Sequence, residues 1–333
     1  MDKFISNLNH YFNGVLNPDS YHGFGRRGPF FEGWYYKLIN PEGDQRWTII
    51  PGVYIGAKPE DSHSFIQVMD GINGRTYYIN FPYVQFVPDE KDFHVSIGRN
   101  EFSARQIHLA IENDKLDLCG DLTFDNLSPW PVTWRSPGIM GWFAWVPGME
   151  CYHGVVSLDH EIKSSLRFNG RKTDFTGGRG YIEKDWGKAM PKAWIWLQCN
   201  HFTQPGISLT ASIAVIPWGP LSFNGFIIGL LLNGSLYKFA TYTGARIDRI
   251  TVNDSDVDLR IADNKKQLHI HARRVGGGSL KAPSVSQMDR RITETLSAEV
   301  EFELSIRQRG VWQKVFEDSG RYVGLEVVGN LKN

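Results

Sequence analysis

Three tight turns constrain this chain more than any other feature of its sequence. Asn169-Gly170 separates SSLRF from RKTDF, Asn233-Gly234 separates IIGLLL from SLYKFATY, and DGING, from Asp70 to Gly74, separates SFIQVM from RTYYINF. Each turn joins two alternating apolar runs through residues that tolerate positive φ, which is the pattern of an antiparallel hairpin. Further alternating segments follow at LHIHARRV, VEFELSI, VWQKVFE and YVGLEVVG, without intervening helices of the length a parallel crossover requires. The chain is therefore predicted to be mainly β. Many strands with Gly and Pro turns point to barrels or sandwiches, and barrels are favoured because closure encloses a ligand cavity without open edges.

Helical patterns are few. Ile5, Leu8 and Phe12, and again Met288, Ile292 and Leu296, each predict one short amphipathic helix. The most apolar stretch, FNGFIIGLLLNG, is too short and too interrupted by glycine to span a membrane as a helix and reads as a buried strand. Between Trp130 and Glu150 the aromatic, Pro- and Gly-broken sequence predicts a lid or a pocket wall. Pro191 interrupts the pattern before a new strand at Trp194, so the chain divides into residues 1–191 and 192–333.

Lys plus Arg and Asp plus Glu each total 36, which leaves no net field to gather nucleic acid or anionic lipid. Aromatic residues make up 13%, with 11 Trp, so aromatic surface is the distinctive material. Cys119, Cys151 and Cys199 are odd in number and lack CxxC spacing, which fits a reducing compartment. The first residues, MDKFISNLNHYFNG, have no sustained apolar core of a secretory signal, and a cytoplasmic location is expected. The polybasic cluster of a membrane anchor is also missing, although a hydrophobic ligand would bring the protein to a membrane surface peripherally. Oligomeric state is not encoded in any pattern.

Three segments carry candidate chemistry. In FFEGWYYK an extended chain puts Glu32, Trp34 and Tyr36 on one face, so Glu32 is either an acid with its pKa raised by an apolar pocket or a partner of Lys or Arg at a barrel mouth. In GGRGYIEKDWG the same alternation gathers Tyr181, Glu183 and Asp185, and turns Ile182, Lys184 and Trp186 the other way. Two close carboxyls titrate as a pair, so one can keep its proton as an acid; the competing reading is an ion-pair cluster with Arg179, Lys184 or Lys188. In AWIWLQCNHF, Trp194, Trp196, Gln198, Asn200 and Phe202 alternate with Ile195, Leu197, Cys199 and His201. Indoles followed by amides suit a flat apolar ligand with a polar substituent, or else form a two-sided core strand. MECYHGVVSLDH adds Tyr152 and His153 as hydrogen-bonding or proton-transfer groups.

Other signals fail inspection. The run from Gly23 to Gly28 satisfies GxGxxG, yet no strand precedes it and Pro29 follows, so it is a decoy loop. His269 and His271 have metal-ligand spacing but also fit the polar side of a strand whose inward residues are Leu268, Ile270 and Ala272. No metal and no other cofactor is expected. There is no GxSxG elbow and no HExxH.

From FFEGWYYK onward the sequence resembles the tocopherol cyclase family, especially its bacterial members. The likeness extends through SFIQVMDG, SPWPVTWRSPGIMGW, MECYHGVVSLDH, FTGGRGYIEKDWG, WIWLQCNHF, KFATYTGAR and GRYVGLEVVG. It implies two successive lipocalin-like, calycin-type antiparallel β-barrel halves, distantly similar to carotenoid hydratases. It also implies a cofactor-independent cyclase that closes a prenylated benzoquinol to a chromanol, as in vitamin E biosynthesis. Ring closure needs a proton delivered to an alkene, attack by a phenol oxygen and exclusion of water. The expected donors are Glu32 and Asp185, with Glu183 and His153 beside them, facing one shared dry chamber. Trp34, Tyr36, Trp194 and Trp196 would line it, and Tyr152, Gln198 and Asn200 would hold the quinol head. A non-catalytic isoprenoid or lipid carrier, or a hydratase or other isomerase on the same scaffold, are the alternatives.

Overall fold

A computed structural model describes residues 11–284 and 286–331. Twelve strands make the first sheet. They are β1 (Phe30–Ile39), β2 (Arg46–Ile55), β3 (His63–Asp70), β4 (Thr76–Pro82), β5 (Phe86–Pro88), β6 (His94–Ile97), β7 (Asn100–Ser103), β8 (Gln106–Asn113), β9 (Leu116–Asp125), β10 (Cys151–Phe168), β11 (Arg171–Asp174) and β12 (Gly178–Gly187). Ten more make the second: β13 (Trp194–Cys199), β14 (Ile207–Trp218), β15 (Leu221–Leu232), β16 (Ser235–Ala240), β17 (Arg246–Val252), β18 (Asp256–Ala262), β19 (Lys266–Arg273), β20 (Gly278–Ala282), β21 (Arg290–Gln308) and β22 (Val311–Val328). The protein is thus mainly β, with two antiparallel sheets.

All three glycine turns make the hairpins that the alternation predicts. Asn169 and Gly170 (φ 46° and 83°) join β10 to β11, Asn233 and Gly234 (φ 50° and 79°) join β15 to β16, and β3 pairs with β4 across the DGING turn. The first sheet runs β4-β3-β2-β1-β12-β10-β9-β8-β7-β6-β5, with β11 on β10. Its hydrogen-bond ladder does not close, since β4 and β5 at the two ends are not paired. It still curls around one core. Phe81 of β4 lies over Gly98 at the far end, and Trp34, Tyr36, Val68, Phe102, Phe124 and Trp186 pack in one buried cluster. The second sheet runs β16-β15-β14-β13-β22-β21-β19-β18-β17, with β20 on β21, and has its own core around Leu197, Ile213, Ile228, Leu259, Ile270 and Phe302.

The chain groups into two compact units. The first comprises Met1–Asp70, Thr76–Met190 and Lys281–Arg291, and the second Gly71–Arg75, Pro191–Leu280 and Ile292–Asn333.

One helix expectation is overturned. Ile292 and Leu296 lie in β21, and Met288 lies just before it in a non-helical segment. A spacing of four returns to the same face in a strand as well as in a helix, so 288, 292 and 296 could not distinguish the two. Near the start, residues 11–16 are helical and Phe12 is exposed; Ile5 and Leu8 lie outside the described residues. Among the described residues no helix is long and apolar enough to cross a membrane.

Candidate functional site on the two faces of the β1–β12 ladder

β1 is extended, so Glu32, Trp34 and Tyr36 do share a face, and it is the inner face of the first unit. Register places Glu32 opposite Trp186 and Trp34 opposite Lys184, which brings Lys184 and Trp186 to the same side. There the Lys184 ammonium pairs with Glu32 Oε1 and also donates to the Ser20 carbonyl. It sits 4.7 Å from the Trp34 ring centroid and 4.8 Å from that of Trp186. His22 stacks on Trp186 at 4.3 Å, and its backbone N–H donates to Glu32 Oε2 at 2.8 Å. Trp34 Nε1 donates to the Asp19 carbonyl and Tyr36 Oη to that of Ser103.

These contacts correct the expectation of a neutral Glu32. Burial alone would raise its pKa, but the charges and hydrogen bonds of Lys184 and His22 outweigh burial and hold it below the usual carboxylate range. Glu32 is a paired carboxylate without a proton to give. Tyr152, opposite Trp186 and stacked on it at 5.4 Å, also faces inward. Its hydroxyl donates to the Val146 carbonyl at 2.6 Å, so in this structure it is committed to the aromatic segment after Trp130.

Tyr181, Glu183 and Asp185 point to the opposite side, together with His153. Tyr181 Oη donates to Glu183 Oε2 at 2.5 Å, His153 Nδ1 lies 2.9 Å from Asp185 Oδ1, and His153 Nε2 lies 3.6 Å from Glu183 Oε2. Tyr181, Glu183 and His153 are buried, whereas the Asp185 side chain is 28% exposed. Burial pushes the His153 pKa down, but the two carboxylates overcome this and raise it to about 9. His153 is therefore an imidazolium at neutral pH. The shared chamber for Glu32 and Asp185 does not exist, because the ladder itself separates them.

His153, Glu183 and Asp185 each bring a donor atom within 4.8 Å of the others, so they have the spacing to hold a metal ion. Glu112, Asp117 and Cys119 form the other such group among the described residues, in a more exposed setting. His269 and His271 instead pair with Asp258 and Asp256 along β18 and β19.

On the Asp185 side, register builds a row across five strands: His153, Asp185, Gly33, Gly52 and Phe65. Gly33 is the one residue of β1 that is not buried, and Asp185, Ile50 and Cys151 on neighbouring strands are also partly exposed. An opening thus lies over bare backbone, with a carboxylate at one end. Phe31, Tyr54, Phe65 and Met288 form its apolar surround, with Ile50, Cys151 and Met190 packed against them. The alternation in EGW encodes the facing of Glu32, whereas the setting of Gly33 depends on its cross-strand partners Asp185 and Gly52, which no local pattern specifies.

Trp194, Trp196, Gln198 and Asn200 belong to the second unit. They are buried on the side of β13 away from the core residues Ile195, Leu197 and Cys199, and Trp194 Nε1 donates to Glu326 Oε2 at 2.6 Å. Asp19 was not anticipated from the sequence. Burial raises its carboxyl to about 6, against the opposing charge of Lys184.

Two antiparallel sheets, each around its own core, define a class of β proteins with solved examples. CghA in complex with Sch210972 superposes with a TM-score of 0.54 at 12% identity, covering 90% of this chain and 89% of that one. Kievitone hydratase from Nectria haematococca gives 0.51 at 12% identity over 90% and 89%. Residues 123–329 match the family described as tocopherol cyclase-like, and the chain belongs to that family. Curated relatives include the chloroplastic tocopherol cyclase of Zea mays, 30% identical over 67% of this chain, and the probable chloroplastic tocopherol cyclase of Oryza sativa subsp. japonica, 22% identical over the same share. The chain spans 58% of the length of each.

Proposed function

We propose that the protein is a cofactor-independent cycloisomerase that closes a prenylated quinol, or a related isoprenoid phenol, to a chromanol-type ring. The observation that carries this reading is the buried His153 ring, 2.9 Å from Asp185 through Nδ1 and 3.6 Å from Glu183 through Nε2, with Asp185 the partly exposed member of the three beside Gly33. Membership of the tocopherol cyclase-like family supports a reaction of this class.

In this mechanism the proton shared by His153 and Asp185 is delivered to the alkene carbon, the phenol oxygen attacks the resulting tertiary cation, and Asp185 accepts the phenol proton, which restores the pair. One C–O and one C–H bond form, the O–H bond and the alkene π bond are lost, and the mass is unchanged. Glu183, fixed by the Tyr181 hydroxyl, adds a charge that favours the protonated imidazole, while the contact with Asp185 orients the ring. The apolar surround of Phe31, Tyr54 and Met288 would keep water from the developing cation.

Anaerobic incubation of the purified protein with a panel of prenylated benzoquinols tests the reading by chromatography and mass spectrometry. An isomer of unchanged mass supports it. Tight binding without turnover, unaffected by Asp185→Asn, would instead favour a carrier, and a gain of water a hydratase.

We also propose peripheral contact with a lipid surface through Trp134 and Trp142, which are 67% and 48% exposed, with Arg135 4.9 Å from the Trp134 ring. Indole rings favour the bilayer interface. Co-sedimentation with phosphatidylcholine and phosphatidylglycerol vesicles, lost in the W134A/W142A double variant, is expected; wild-type protein left in the supernatant would end this part.

A further inference from the structure

Gly33 has no structural reason to be glycine. It is paired with Asp185 on one side and Gly52 on the other, in regular extended backbone, and its φ is not in the positive region. A Cβ built on it would lie 3.5 Å from the Pro51 carbonyl oxygen and 3.6 Å from Ile50 Cγ2, which is ordinary van der Waals contact, with nothing else within 4 Å among the described residues.

The other glycines of β1, β2, β10 and β12 differ. A Cβ on Gly52 would meet Phe65 Cζ at 2.5 Å, on Gly180 His160 Nε2 at 2.2 Å, on Gly178 the Ile39 carbonyl at 2.2 Å, and on Gly187 that of Glu150 at 2.3 Å. Even Gly154, the mildest case, would bring Trp186 to 3.3 Å. Each of those is glycine because the protein itself fills the space. At Gly33 a Cβ would meet only ordinary contacts and the backbone is partly exposed, although the rest of β1 is buried.

A glycine inside a strand weakens it and commonly marks a place where something else approaches the backbone closely. We propose that the bare backbone at Gly33 seats the flat ring of the ligand, and that Gly33 sets how heavily that ring can be substituted. The peptide planes at Gly33 offer a flat contact, Ile50 and Phe31 an apolar border, and the Asp185 carboxylate an acceptor for a ring hydroxyl. That chemistry fits a hydroxylated aromatic ring. The inference rests on the cyclase reading for the ligand class but not for turnover.

The test uses two benzoquinols with a fully saturated side chain, which lack the alkene and bind without reacting, one with an unsubstituted ring and one ring-methylated. Dissociation constants come from anaerobic fluorescence titration, with melting temperatures measured alongside. Wild type should bind both. Gly33→Ala should keep or raise its melting temperature and bind the methylated ring at least tenfold more weakly than wild type does, with a smaller loss for the unsubstituted ring, since one methyl in a fitted pocket is worth about that factor. Gly52→Ala should lower the melting temperature, because its Cβ has nowhere to go.

Unchanged affinities in Gly33→Ala, a fall in its melting temperature, or wild type that binds neither quinol would each overturn the inference. Selective loss of binding in Gly33→Ala without turnover of reactive quinols by wild type would leave the seat standing and remove the cyclase. Turnover by wild type with unaltered affinities in Gly33→Ala would do the reverse.

Discussion

Glu32 and Asp185 lie on opposite faces of one ladder: Glu32 sits opposite Trp186 on the core side, and Asp185 opposite Gly33 on the other. One is enclosed by Lys184 and His22, while the other borders an opening beside a charged histidine. This separation assigns the first carboxylate to holding the fold and leaves the second as the carboxylate of the proposed chemistry.

Removing one partner of the core pair should be costly. Both side chains are fully buried, and stranding a buried charge typically costs about 3–5 kcal/mol. Urea denaturation of Lys184→Met should show a loss of that size, and the double change K184M/E32L should recover part of it. The folded pKa of Glu32 is lowered, so its stabilising contribution is present above its unfolded value and disappears as pH falls through the folded one. A Lys184→Met loss of under about 1 kcal/mol would contradict the pair's structural role.

The charged histidine has the opposite pH signature. Its folded pKa of about 9 lies above the unfolded value of 6.5. The contribution, on the order of 3 kcal/mol, is therefore complete below pH 6.5 and lost as pH rises through 9. His153→Gln should lack this alkaline loss. A wild-type stability profile that stays flat between pH 6.5 and 9.5, or one matched by His153→Gln, would count against an imidazolium.

Asp19 should act in reverse to a salt-bridged carboxylate. Its folded pKa of about 6 exceeds the ordinary 3.8, so the folded state binds the proton more readily and stability rises as pH falls from 6 toward 4. Since the side chain is only partly buried, Asp19→Asn should gain about 1–2 kcal/mol at pH 7, read by thermal denaturation across pH. Equal pH profiles for the two proteins would refute the shift.

Packing at Phe65 gives another check. Gly52→Ala places a methyl 2.5 Å from Phe65 Cζ and 2.8 Å from the Glu32 carbonyl, and overpacking of that kind costs about 1–3 kcal/mol. Chemical denaturation should report it.

Much of the architecture was legible because a hairpin turn and a period of two are local signals. Asn169-Gly170 and Asn233-Gly234 need only their neighbours to be read. The period of two also grouped Glu32 with Trp34, and Glu183 with Asp185. It could not say which group faces which side, because relative facing depends on register between β1 and β12, which are about 150 residues apart in sequence. The partners Lys184 for Glu32 and His153 for Asp185 were hidden for the same reason. The Met288, Ile292 and Leu296 spacing failed because it fits both regular structures equally.

The central claim is that Asp185, with His153 behind it, moves a proton from a phenol to an alkene. Incubating wild type and Asp185→Asn with a prenylated benzoquinol in deuterated water, without oxygen, tests it directly. The expected product from wild type is an isomer carrying one deuterium on the carbon that was part of the alkene. Asp185→Asn should form it about 10²–10⁴-fold more slowly. Equal rates in the two proteins, or no isomer from wild type with any quinol of the panel, would contradict the claim.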